Sequence, residues 1–117
     1  MTGWGGPALV GLWAATVAAA GGAGIGVFRR VAAKPVTHTV IIDATSYRPA
    51  RLAVHRGDTV VWVNKDLIPH TATATSKAFD SKVLAAGASW RLTVTSAGTT
   101  DYRCLFHPTM AGRIEAD

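Results

Sequence analysis

The sequence predicts an all-β sandwich preceded by one N-terminal hydrophobic helix. Three observations carry that expectation. From Val36 onward the chain is divided into short runs rich in β-branched and aromatic residues, with turn signals recurring at Gly57, Gly87, Gly98 and Gly112. No stretch of that part repeats apolar residues at helical spacing. Ahead of it, residues 7–28 read PALVGLWAATVAAAGGAGIGVF and contain no charge.

As a helix, residues 7–28 would be roughly 33 Å long at about 1.5 Å per residue, enough to cross a bilayer core. Ala18-Ala19-Ala20 offers a small-residue site at which a secretory signal could be cut. Against cleavage, no Lys or Arg precedes the apolar run, and the run continues past Ala20 to Arg29 and Arg30. An uncleaved membrane anchor is therefore the expected reading. Arg29, Arg30 and Lys34 would flank it, and the positive-inside rule would place them, with the downstream domain, in the cytoplasm. That conflicts with the extracytoplasmic site, periplasmic or cell-surface, expected below. Either the bias is too weak to orient the anchor, or the chain starts upstream of Met1. Val31 to Pro35 reads as a linker, which sets the expected boundaries: residues 1–35 anchor and linker, residues 36–117 folded domain.

The strands follow in order. Val36–Ile42 is β-branched and stops before Asp43. Leu52 and Val54, then Thr59-Val60-Val61-Trp62-Val63, flank a turn at Arg56-Gly57-Asp58. Phe79–Leu84 reads as a weaker strand. Trp90, Leu92 and Val94 alternate with Arg91, Thr93 and Thr95, the period-2 mark of a half-buried strand. Thr99–Cys104 and Gly112–Ala116 are the last two.

The chain has 117 residues, of which roughly eighty are left for the domain, so the core is thin and gains from a metal that ties strands together. The formal charge is +5, but from Pro35 onward nine Lys and Arg face seven Asp and Glu with no basic run. Nucleic-acid binders concentrate positive charge on one face, so that class is disfavoured. Cys104 is the single cysteine, which excludes an internal disulfide. Its bland reading is a small buried apolar residue.

Its neighbours point elsewhere. Cys104-Leu105-Phe106-His107-Pro108-Thr109-Met110 places a thiolate, an imidazole and a thioether on one loop, in the spacing C-x-x-H-x-x-M. Thiolate and thioether favour Cu(I) while imidazole suits both copper states; two His, one Cys and a weak axial Met form the ligand set of blue-copper electron-transfer sites. Of the four histidines, His70 in Pro69-His70-Thr71 leaves the strongest strand and is placed to meet a loop from the far end of the chain. His38 and His55 sit at strand positions among polar neighbours and are expected to face solvent. Haem attachment needs C-x-x-C-H, which is absent, and a structural zinc site would show two or more Cys.

With these residues in place, the segment from about Val36 to Ala116 resembles the plastocyanin/azurin family of cupredoxins and is most similar to the amicyanin-like group. The likeness rests on Gly57 to Asn64, the Pro69-His70-Thr71 turn, Phe79-Asp80-Ser81, the approach from Gly98 to Cys104, and above all the short Cys104-to-Met110 loop. It implies a Greek-key sandwich with one copper near one end. It also implies that His70, Cys104 and His107 form the strong trigonal plane, with Met110 axial. Two features depart from the pattern. Many members carry Asn after the first ligand His, where this chain has Thr71, whose hydroxyl can still bond across to the ligand loop. The last strand, Gly112 to Asp117, is short and more polar than usual for the closing edge of the sandwich.

The function expected is one-electron transfer, with a copper storage or delivery module as the alternative. Four protein ligands leave no open position for substrate, multicopper oxidase and nitrite reductase sites need more histidines, and a binuclear copper centre needs two bridging cysteines. No enzyme activity and no small-molecule substrate are expected. His107 is the expected bridge to solvent. Around it Leu105, Phe106 and Pro108, with Ile68 and Pro69 on the facing loop, form an apolar concentration expected to dock redox protein partners. The competing reading is that Leu105 and Phe106 cap the core.

Overall fold

A computed structural model describes residues 34–117, and the architecture is built from eight strands: β1 (Thr37–Asp43), β2 (Ser46–Arg48), β3 (Arg51–Val54), β4 (Thr59–Asn64), β5 (Thr73–Ala74), β6 (Ser89–Thr93), β7 (Gly98–Arg103) and β8 (Ala111–Ala116). The helix expected at residues 7–28, and Arg29 and Arg30 after it, lie outside the described residues. Among the described residues no helix is long and apolar enough to cross a membrane.

Two four-stranded sheets form the sandwich, ordered β2-β1-β4-β6 and β3-β8-β7-β5. Each holds one parallel pair, β1 with β4 and β3 with β8; the other pairings are antiparallel. The alternation in β4 explains the layering. Val60, Trp62 and Asn64 are buried while Thr59, Val61 and Val63 are only partly covered. Its partner β1 turns Val40 and Ile42 inward in register with Trp62 and Asn64. Trp62 sits at the centre, its ring 5.4 Å from Phe79, 5.5 Å from Trp90 and 5.4 Å from Tyr102. Large aromatic side chains supply much of the burial available to so small a domain.

Several expectations are corrected by pairing. Phe79–Leu84 is not a strand. Lys82 has φ 62°, which breaks the extended backbone, and the segment makes only isolated bridges, Thr73 with Asp80 and His70 with Leu84. β2 and β5 were not foreseen. Ala44 and Thr45 both have positive φ (50° and 58°), as a two-residue hairpin turn requires, yet neither is the Asn or Gly that advertises one. Gly112 is not a turn residue but lies inside β8, where a Cβ would come within 2.3 Å of the Tyr102 ring. Nor does β8 close the sandwich at an edge: it is an interior strand between β3 and β7. Its polar look arises because Gly112 and Ile114 face the core while Arg113 and Glu115 pair outward, Arg113 with Asp101 at 2.7 Å and Glu115 with Arg51 at 3.5 Å.

Candidate metal centre

The site forms where β4 and β7 run out at the same end of the sandwich. Asn64 closes β4 on its inward-facing side, so its amide is buried and must find partners. It finds three: the side-chain N–H2 donates to the carbonyls of Ile68 and Leu84, both at 2.9 Å, and Oδ1 accepts from the Asp66 N–H at 2.9 Å. This pins the loop that carries His70 to the strand that launches it. His70 and Leu84 then exchange backbone hydrogen bonds at 3.1 and 2.7 Å. Across the gap, the Cys104-to-Met110 loop is closed on itself. The Cys104 N–H donates to the Met110 carbonyl at 3.1 Å, and the Met110 N–H donates to the His107 carbonyl at 2.8 Å.

These two loops bring His70, Cys104 and His107 together, with one donor atom from each within 4.8 Å of the others. Nδ1 of His70 and Nδ1 of His107 each lie 3.7 Å from Cys104 Sγ, and the two rings are 5.0 Å apart. His70, Cys104 and Met110 are buried, and His107 is partly exposed. Met110 is thus held on the same loop, beside the cluster. His38 and His55 stand apart from it. His55 is exposed, as expected, and pairs with Asp117. His38 is not solvent-facing: it is partly buried and its Nε2 is 2.9 Å from Asp58 Oδ2.

The far side of His70 is fixed as well. Nε2 lies 2.9 Å from Asp66 Oδ2. A carboxylate only accepts, so Nε2 donates to it and Nδ1 is the ring nitrogen left facing Cys104. Hydrogen bonding from His70, helped by the backbone N–H groups of Thr45 and Leu67, holds the Asp66 carboxyl below its usual range against the opposing effect of desolvation. At Cys104, burial pushes the thiol up. Hydrogen bonding with His107, with the Thr71 N–H at 3.4 Å and with His70 outweighs it, bringing the thiol down to about 6. The sulfur is therefore disposed to be thiolate, the form that binds a soft metal.

Thr71 does what its hydroxyl allowed. The Leu105 N–H donates to Thr71 Oγ1 at 3.0 Å, tying the His70 loop to the Cys104-to-Met110 loop. Thr71 Oγ1 in turn lies 2.9 Å from Thr73 Oγ1, which donates to Asp80 Oδ1 at 3.1 Å. Behind it, the Tyr47 hydroxyl donates to the Thr71 carbonyl. Sequence reasoning missed Asn64, Asp66 and Tyr47. The available signal was Asn64 at an inward position of an otherwise apolar run; nothing local marked Asp66 or Tyr47.

The expected apolar concentration is at the surface. Ile68 is 42% exposed, Leu105 52% and Phe106 51%, so neither Leu105 nor Phe106 is a core cap. Leu67, the neighbour of Ile68 in the chain, is 91% exposed.

A soft thiolate, two imidazole nitrogens facing it and a buried methionine on the same loop suit one copper ion. Comparison with known proteins agrees. The family model for the cupredoxin-like domain matches residues 8–115. Amicyanin from Paracoccus denitrificans is 31% identical over 90 residues, which cover 71% of this chain and 69% of amicyanin. The solved Cu(I) form of an amicyanin variant is 31% identical with a TM-score of 0.65, covering 76% of this chain and 88% of that one. A purple cupredoxin from Nitrosopumilus maritimus is 26% identical with a TM-score of 0.64, covering 68% of this chain and 99% of that one. Sequence, fold and donor set converge: the chain belongs to the cupredoxin-like family, as an amicyanin-like blue-copper member whose cofactor is one copper ion.

Proposed function

We propose that this chain is a single-electron carrier. His70, Cys104 and His107 are its strong copper ligands, Met110 is the weak axial one, and residues 7–28 tether the domain on the extracytoplasmic side of a membrane. The observation that carries this reading is the pair of Nδ1 atoms, from His70 and His107, each 3.7 Å from Cys104 Sγ. Copper held by such a set supplies a reversible one-electron couple. The chain's own groups keep the donors in place. Asp66 orients the His70 ring, the Thr71 hydroxyl joins the two loops, and burial of Cys104 and Met110 excludes water. Donors that need not move between oxidation states favour fast electron exchange over chemistry on a substrate.

Delivery of copper to another protein calls for a site that releases its ion readily. Burial of His70, Cys104 and Met110 favours retention, and slow loss of copper to a chelator is expected. The tether is supported by the uncharged run 7–28 ahead of Arg29 and Arg30; the native protein is expected to resist carbonate extraction and to need detergent.

The deciding experiment adds Cu(II) to the full chain in detergent. Intense blue absorption from thiolate-to-copper charge transfer is expected, and Cys104→Ser should abolish it. A wild-type protein that binds Cu(II) yet stays nearly colourless would overturn the ligand assignment.

A further inference from the structure

The apolar surface beside His107 is bordered by a groove on the outer face of β5 and β7. It has a volume of about 420 Å3 and is lined by Thr73, Thr75, Lys77, Asp80, Arg103 and Leu105. Leu105 belongs to both features, so the groove opens onto the apolar patch. Lys77 and Arg103 are exposed, and among the described residues neither lies in an ion pair. The acid that lines the groove is already engaged. Asp80 Oδ1 accepts from the Thr73 hydroxyl at 3.1 Å and from the Lys82 N–H at 2.8 Å, while Oδ2 lies 4.0 Å from Lys82 Nζ. The nearby acid of β7, Asp101, is held by Arg113 at 2.7 Å. The concavity therefore carries net positive charge. Single exposed lysines are ordinary solvated charges. Here two cations outside any ion pair among the described residues face a single carboxylate in one groove that is continuous with the apolar surface over the Cys104-to-Met110 loop.

Resting on the electron-carrier reading above, we propose that the redox partner is an acidic protein. It lays an apolar contact on Ile68, Leu105, Phe106 and Pro108 and seats carboxylates in the groove between Lys77 and Arg103. One electron moves between the copper and the partner's own redox centre: one is oxidised as the other is reduced, and no proton or covalent bond changes. The physical logic divides the labour. Exposed charge steers the encounter and is screened by salt over a Debye length of about 10 Å at 0.1 M. A small apolar contact then sets the orientation without prolonging the complex.

The test uses the reduced, copper-loaded full chain in detergent and two one-electron oxidants, anionic hexacyanoferrate(III) and cationic tris(phenanthroline)cobalt(III). Stopped-flow rates are taken at about 10 mM and about 200 mM ionic strength, on either side of the screening length that matters here. For wild type, the anionic oxidant should react faster at low salt and lose that advantage at high salt. Lys77→Glu combined with Arg103→Glu should slow the anionic reaction several-fold at low salt and flatten its salt dependence, with the blue absorption unchanged. Arg56→Glu, in the turn at the opposite end of the sandwich, should have little effect. Equal rates and salt slopes for the double variant and wild type, or an equal effect from Arg56→Glu, overturn the proposal. A second measurement needs no variant. Amide shifts of the Cu(I) protein on adding a hexa-aspartate peptide should concentrate on residues 73–80 and 103–106, and shifts centred on Arg56 or Arg91 contradict the proposal. Failure of the electron-carrier reading is distinct: it would appear as absence of the blue colour or of any reduction in wild type.

Discussion

Asp66 and His70 are joined on the side of the imidazole that faces away from Cys104: Asp66 Oδ2 lies 2.9 Å from His70 Nε2, while Nδ1 of the same ring lies 3.7 Å from Cys104 Sγ. Because Asp66 Oδ2 also accepts from the Thr45 N–H at 3.1 Å, the β1–β2 turn braces the carboxylate that braces the ring. Removing such a support commonly weakens metal binding by about 10–100-fold. Asp66→Ala should therefore keep the blue colour but lower copper affinity by that order, measured by chelator competition, and shift the reduction potential. Affinity and potential equal to wild type would show that packing alone orients His70.

Met110, in the weak axial role proposed for it, should tune the site more than hold it. Met110→Gln should retain copper and lower the reduction potential, because an amide oxygen favours Cu(II). Voltammetry that returns the wild-type potential would remove Met110 from the axial role.

Ile68, 42% exposed beside the ligand loops, tests the apolar port. Ile68→Asp should slow electron self-exchange while leaving the visible spectrum nearly unchanged, since none of the proposed ligands is touched. Self-exchange at the wild-type rate, here and in a matching change at Pro108, would rule out this face.

Gly112 is required by its neighbour. A Cβ there would clash with two ring atoms and the hydroxyl oxygen of Tyr102, and Tyr102 is itself buried against Trp62 and Tyr47. Gly112→Ala should destabilise the domain by about 1–3 kcal/mol, the range for overpacking a filled core. Thermal or urea unfolding reads this directly, and an unchanged midpoint would mean the ring can shift freely.

Asp58 supplies a pH dependence at the end of the sandwich away from the metal centre. The hydrogen bond from His38, with those from the His55 and Val36 N–H groups, depresses its pKa. A carboxyl whose folded pKa lies below its unfolded value stabilises the fold above the unfolded pKa, about 4, and that contribution is lost as pH falls through the folded pKa. Asp58→Asn should therefore lower stability at pH 7, and the gap to wild type should narrow progressively below about pH 4. A gap that stays constant from pH 7 to pH 2.5 would contradict the linkage.

The sequence alone determined the chemistry of the loop and the layering of the strongest strand. Cys104, His107 and Met110 fall within seven residues, so their donor types can be read together without knowing the fold. The inward phase of β4 follows from alternation alone, because a strand's side chains must point to opposite faces. Only the tertiary structure decided what depends on distant partners. The thiolate of Cys104 meets His70 across 34 positions in the chain, and Tyr47 reaches the Thr71 carbonyl across 24. No local pattern encodes such contacts. The three-residue β2 and two-residue β5 are too short to show a period, and exist because β1 and β7 offer them unpaired backbone. β8 reads as a polar edge until β3 pairs with its other side. Gly112 reads as a turn until Tyr102 is folded against it. Local sequence sets which atoms are available; the closure of one sheet over the other sets which of them touch.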